Sequence, residues 1–326
     1  MKLTKKQKAL IAIMCCVLFW GFSFISIKVA IAVYPPMTLG FLRFAFAALF
    51  FVLLLPVRYV RRKLLPRVAG GTTPGSGIKE REERIEARDL PYLIGGGLAG
   101  DTLYFFFENN GVALITASEA SLIVGAIPVL AMTAEWVERK LRRVRETQEG
   151  IEPSDAAPAL WRRIGTLLSV AGVWCIVGAS LAISGNGYGY VFMAGAAVTW
   201  VAYCFLTRPL FKRHSQFFIV FRQTIFGFLG FVPFAIYEIP RWGTPDAAVI
   251  GHIVFLGLCC SALGYWLYNY ALEILDVAVS SVFINLIPVV TVAAGYCILG
   301  ERLTLLQWAG AGLVIAGVYL AMRNKG

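Results

Sequence analysis

The chain has 326 residues, of which 58% are hydrophobic and only 15% charged, and its formal charge is +11. Soluble domains carry roughly a quarter charged residues and about half apolar ones, so this composition excludes an ordinary water-soluble fold. The positive charge lies in short stretches between apolar runs, with no basic stripe interleaved with exposed aromatics, which excludes nucleic acid as a partner and points to the lipid bilayer.

A helix needs about 20 residues to cross a ~30 Å hydrocarbon core. The first window, 10–31, follows Lys2, Lys5, Lys6 and Lys8. It has the charged start of a signal peptide but runs on to Val33 with no small-residue cleavage site, so it is expected to be a retained helix. Further windows fall at 37–55, 91–111, 118–137, 163–183, 188–207, 217–237, 248–270, 277–299 and 305–322. The charged stretches 56–90 and 138–162, rich in Gly, Pro, Ser and Thr, read as solvated loops. All seven cysteines lie inside apolar windows without metal-ligand spacing, so neither a metal nor a disulfide is implied, and no cofactor motif appears.

Lys and Arg set the orientation. Four precede the first window, nine lie in 56–90 and seven in 138–163, whereas the turns at Tyr34–Pro36, Thr116–Ser118 and Gly185–Tyr188 have none. The asymmetry places both termini in the cytoplasm of an inner-membrane protein, and ten crossings make it consistent.

The chain also repeats itself. A shift of 160 matches Gly97 with Gly257, Leu103 with Leu263, Asn109 with Asn269, Ser121 with Ser281, and Ile127-Pro128-Val129 with Ile287-Pro288-Val289. Gly165, Gly172 and Val173 match Gly310, Gly317 and Val318, while Trp20, Lys28 and Arg43 match Trp200, Arg208 and Arg222. Halves 1–185 and 186–326 with five crossings each must enter the membrane from opposite sides. The expected fold is an all-α integral membrane protein of ten transmembrane helices in two inverted five-helix repeats, an arrangement that suits alternating access.

With these motifs assembled, the chain resembles the drug/metabolite transporter superfamily in its EamA branch. The likeness rests on Leu18-Phe19-Trp20-Gly21, Pro35-Pro36-Met37-Thr38-Leu39, Phe41-Leu42-Arg43-Phe44, Phe107-Glu108-Asn109-Asn110, Tyr268-Asn269-Tyr270-Ala271-Leu272 and Gly300-Glu301-Arg302-Leu303. In the first half the last motif becomes Val137-Glu138-Arg139-Lys140-Leu141, without the Gly and with an extra Lys. The resemblance implies a central cavity and transport of small organic metabolites such as amino acids, with a small-molecule substrate as partner and no enzymatic reaction. A membrane-embedded lipid-modifying enzyme and a non-transporting scaffold are the alternatives; the first lacks a catalytic constellation and the second leaves the buried acids without a role.

Ionisable groups inside a bilayer need a partner or a water-filled cavity. Asp101 and Glu108, seven residues apart, are expected on one helix face about 10 Å apart. Either can take a coupling proton or meet a cationic solute; an ion pair with Lys28 or Arg43 is the structural alternative. Lys28 and Arg43 are candidates for a carboxylate or phosphate, or they snorkel to the interface. Asn109, Asn269 and Asn285 suit a polar solute or interhelical hydrogen bonds. Trp20, Trp200, Tyr203, Trp266 and Tyr270 are candidate cavity walls or belt residues. Pro128 and Pro288 are expected to kink the fourth and ninth helices at matching places. The glycine pairs permit close helix approach, within the chain or between protomers.

Overall fold

The computed structural model describes residues 3–68, 85–115, 120, 123–125, 127–148, 160–178, 187–275, 277–299 and 304–322, and among them every regular element is helical. In chain order these are α1 (Lys5–Ile31), α2 (Pro36–Val68), α3 (Leu90–Gly97), a π turn (Leu98–Leu103), α4 (Tyr104–Leu114), α5 (Ile127–Gln148), α6 (Leu160–Gly178), α7 (Gly187–Thr207) and α8 (Gln216–Glu238). The chain continues through α9 (Ala247–Phe255), a second π turn (Leu256–Leu263), α10 (Gly264–Leu275), α11 (Val277–Ile284), α12 (Leu286–Leu299) and α13 (Leu305–Met322). Five helical stretches among the described residues are long and apolar enough to cross a membrane. Helix is the form an apolar segment takes in lipid, because it satisfies its backbone groups internally.

Helix and hydrophobic run do not end together. α1 starts ahead of its apolar window with a capping box, in which Gln7 N donates to Thr4 Oγ1 and Thr4 N to Gln7 Oε1. α2 continues to Val68 and α5 to Gln148, so parts of the expected loops 56–90 and 138–162 are helix instead. Arg, Lys, Leu, Glu and Gln are good helix formers, and a helix can leave the membrane without unwinding. Residues 69–84 and 149–159, where those loops would continue, lie outside the described residues, as do 300–303 with the Gly-Glu-Arg-Leu motif.

Packing pairs each half with the other. α1 lies along α10 and α7 along α4; α2 crosses the second π turn and α8 the first. α6 and α13 form the most extensive pair. A methyl placed on Gly172 would come within 2.6 Å of Gly310 O, and one on Gly317 within 2.5 Å of Gly165 O. The glycine contact is therefore internal to the chain. Because the later glycine of each helix meets the earlier glycine of its partner, the two helices run antiparallel. α2 and α8 are antiparallel as well: Thr38 at the start of α2 meets Glu238 at the end of α8, and Phe51 meets Phe217.

Three local features recur at a spacing of about 160 residues. The π turns occupy 98–103 and 256–263. Gly125 and Asn285 each interrupt a helix, followed three residues later by Pro128 or Pro288. Proline cannot donate to the carbonyl four residues back, so each helix restarts around it instead of bending smoothly.

The outer surface is apolar, with Leu53, Val191, Val198, Ile236 and Tyr319 among the exposed side chains, while Arg43, Asp101, Glu108 and Asn109 are buried. Hydrophobic residues outside and selected charges inside are the arrangement expected in lipid.

Candidate functional site

A narrow cavity opens where the two halves meet. Its wall holds Trp20, Ser23 and Phe24 of α1, Arg43 of α2, and Tyr104, Phe105 and Glu108 of α4; Trp200 and Tyr265 face them from the second half. The interior offers water about 30 Å³, room for one or two molecules.

The charges are built in by packing. Arg43 Nε donates to Ser261 Oγ at 2.8 Å, and its guanidinium lies 3.9 Å from the centre of the Phe105 ring. Its Nη1 has no hydrogen-bond partner. Glu108 accepts from the Tyr104 hydroxyl at 2.8 Å, one helical turn away. Neither forms an ion pair with the other, although Arg43 is close enough to act on Glu108 and Asp101 electrostatically. Stacked and edge-on aromatics surround them, with Trp20 and Trp200 at 5.2 Å and Trp200 and Tyr265 at 5.6 Å between ring centres. A cationic fork and a carboxylate in one aromatic-walled space can hold a solute that carries both signs of charge.

Asp101 does not share this wall. It belongs to the first π turn, which changes the register that a continuous α-helix would keep through the seven residues to Glu108. The side chain instead packs against Gly227 of α8, where a methyl would come within 2.4 Å of Asp101 Cβ. Asp101 is 1% exposed and both carboxyl oxygens lack a hydrogen-bond partner.

The other singled-out residues have local roles. Lys28 Nζ donates to the carbonyls of Val112 and Ile115, so it caps the negative end of α4. Asn109 Nδ2 donates to Pro36 O at 2.8 Å, Asn269 Nδ2 to the Tyr203 hydroxyl, and Asn285 Nδ2 to Ser169 Oγ at 2.7 Å, each tying one helix to another. Tyr203 is fully buried against Gly100. Trp266 meets Phe217 edge-on at 5.5 Å, and Tyr270 is half-buried outside the cavity wall. Arg208 pairs with Glu138 at 3.4 Å on the exposed surface. Arg222 lies over the rings of Phe218 and Phe221. Packing also corrects its match with Arg43: Gly257 faces the Arg43 carbonyl as Gly97 faces that of Gln223, so Gln223 is the true counterpart.

Of the wall, sequence reasoning missed Ser23, Phe24, Tyr104, Phe105 and Tyr265. Tyr104 was findable, because the residue four before Glu108 shares its helix face. The aromatics gave no signal, since belt, core and cavity use the same residue types.

Two polar clusters close opposite ends of α8. At its start, buried Asp89 meets Arg213 and, at 2.7 Å, His214 Nε2. Burial pushes the Asp89 carboxyl up, but the hydrogen bonds from His214 and Arg213 outweigh it and hold the group below the usual carboxylate range. At the far end, Glu238 Oε2 accepts from Thr38 N and Thr38 Oγ1, and Gly243 N donates to Val33 O.

Comparison with known proteins follows the same outline. The model of the EamA-like transporter family matches residues 7–140 and 187–323, one region in each half. A protein named an uncharacterized transporter in Archaeoglobus fulgidus is 27% identical over 98% of this chain and 100% of its own length. A probable amino-acid metabolite efflux pump of Salmonella typhimurium is 24% identical over 93% of this chain and 91% of its own. A probable terminal-alkyne amino-acid exporter of Streptantibioticus cattleyicolor is 28% identical over 74% and 76%, respectively. A solved crystal structure at 18% identity covers 97% of this chain and 98% of its own with a TM-score of 0.66, a likeness of fold.

Proposed function

The chain belongs to the EamA-like transporter family, and from that premise we propose that it is a secondary carrier that exports small organic metabolites, amino acids and related compounds among them, by alternating access. It is a multi-pass membrane transporter; substrate class, direction and mechanism are the further reading. The observation that carries it is the cavity between the halves, where Arg43 and Glu108 are buried without an ion pair. Burying unpaired charge is costly, and a fold that keeps it has a use for it. Export follows the names of the Salmonella and Streptantibioticus relatives.

Ten crossings in two inverted repeats, divided near residue 185, supply the mechanism. The antiparallel pairs α2–α8 and α6–α13, the reciprocal glycine contacts and the two π turns support that reading. Inverted halves make inward-open and outward-open states near-equivalent packings of the same parts. The Lys and Arg distribution supports cytoplasmic termini in the cell membrane. A proton is the proposed coupling ion. Arg43, Asp101 and Glu108 together leave one excess negative charge when all are ionised, which a proton or a cationic solute would balance.

Reconstitution into liposomes tests this. Counterflow of an amino acid or amphipathic amine is expected, falling at least tenfold in Glu108→Gln with the protein still folded. Absence of flux across a broad panel of such solutes, or an unaltered Glu108→Gln, would overturn the proposal.

A further inference from the structure

Asp101 poses an energetic problem. A buried carboxyl with neither oxygen hydrogen-bonded forgoes a bond and still bears the cost of desolvation. A native structure tolerates such a group where the missing partner is supplied in another state.

Pseudo-symmetry identifies that partner. A methyl on Gly257 would come within 2.8 Å of the Arg43 carbonyl, and one on Gly97 within 2.4 Å of the Gln223 carbonyl. Four residues beyond each glycine, inside each π turn, stand Ser261 and Asp101. Arg43 and Gln223 are thus equivalent donors, and Ser261 and Asp101 equivalent acceptors. On one side the bond is made, with Arg43 Nε donating to Ser261 Oγ at 2.8 Å. On the other it is not: Gln223 Nε2 donates to Thr207 Oγ1 at 2.9 Å, leaving Gln223 Oε1 and both Asp101 oxygens without partners. All four residues are almost fully buried.

We propose that the two bonds alternate: in the opposite-facing state Gln223 donates to Asp101, and Arg43 releases Ser261. This rests on the alternating-access reading, in which the halves exchange conformations, so that Gln223 takes up the reach Arg43 has now and Arg43 the withdrawn one. One bond is made in each state, which keeps the two states close in free energy, as a carrier requires. Gln223 is a positioning residue in this scheme. It touches no solute and acts by stabilising one facing.

The exchange can be biased from either side. Ser261→Asp places a carboxylate beside Arg43 and is expected to hold the present facing; Gln223→Arg places a guanidinium beside Asp101 and is expected to hold the opposite one. The readout is Ser23→Cys, in the cavity wall, in a full-length chain with its seven native cysteines replaced. Alkylation by a membrane-impermeant maleimide is compared from the two faces of sealed vesicles. The two variants are expected to shift the ratio of labelling rates tenfold or more in opposite directions. Gln223→Met, similar in size but without a donor, is expected to shift it the same way as Ser261→Asp, and it serves if the charged variants fail to fold. Shifts in one common direction, or none in any variant, would overturn the alternation. Solute flux with no shift would sink the alternation alone, whereas opposite shifts in a chain that moves no solute would sink the carrier reading and leave the alternation standing.

Discussion

The segment α3–π turn–α4 and the segment α9–π turn–α10 share one architecture and differ in chemistry. Both contain a π turn, both press a glycine at the start of that turn against a neighbouring helix, Gly97 and Gly257, and both carry an asparagine in the helix that follows, at 109 and 269. The first adds Asp101 and Glu108 where the second has Ser261 and Tyr268. The backbone devices are therefore what the fold requires, and the acids are additions to one side of it. Under the alternating access proposed above, a charge present in only one half gives the two facings different interiors, which an identical pair of halves could not do.

The charge of α2 is one-sided too, Arg43 standing where α8 has Gln223, and removing it should have the largest effect. Arg43→Gln makes the second helices alike at this position and is expected to reduce solute flux at least tenfold, with Arg43→Lys giving little rescue, because an ammonium cannot reproduce the guanidinium fork. Liposome counterflow is the measurement. Next comes the architecture itself. Gly172→Leu and Gly317→Leu each overfill the α6–α13 contact and should cost about 1–3 kcal/mol. Near-equal losses in thermal unfolding would sharpen the case for symmetry, and a large inequality would break it.

The ends of α8 extend the contrast. Asp89→Asn is expected to destabilise by about 1–3 kcal/mol at neutral pH, because Arg213 and His214 lose a carboxylate. Asp89 is held below its unfolded value, so its contribution is complete above about pH 4 and disappears as pH falls through the lower folded value. Wild type and variant should converge in that acidic range, as followed by unfolding in detergent. Glu238→Gln at the other end should cost less, since an amide oxygen can still accept from Thr38. The smallest effect is expected for Tyr104→Phe, which removes one hydrogen bond to Glu108, worth about 0.5–1.5 kcal/mol.

Much of this was legible in the residues. The all-helical build of the described residues, with five stretches long and apolar enough to cross a membrane, follows from apolar runs, because lipid leaves a backbone no alternative. The prolines and paired glycines were legible too, since each acts through its own backbone. What escaped was whatever depends on a partner. The capping role of Lys28 needs two carbonyls of a different helix. The π turns carry no composition of their own, yet they move Asp101 off the wall that Glu108 lines. Gln223 was invisible as the counterpart of Arg43, because a neutral residue one position from Arg222 gives no reason to prefer it until the glycine contacts fix the register.

Single cysteines probed with an impermeant reagent in oriented vesicles test the inverted halves most directly. Thr4→Cys, ahead of α1, and Gly187→Cys, at the first residue of α7, mark the starts of the first helices of the two proposed repeats. They are expected to label from opposite faces, with Lys325→Cys labelling from the same face as Thr4→Cys. Labelling of the first two from one face would contradict the account.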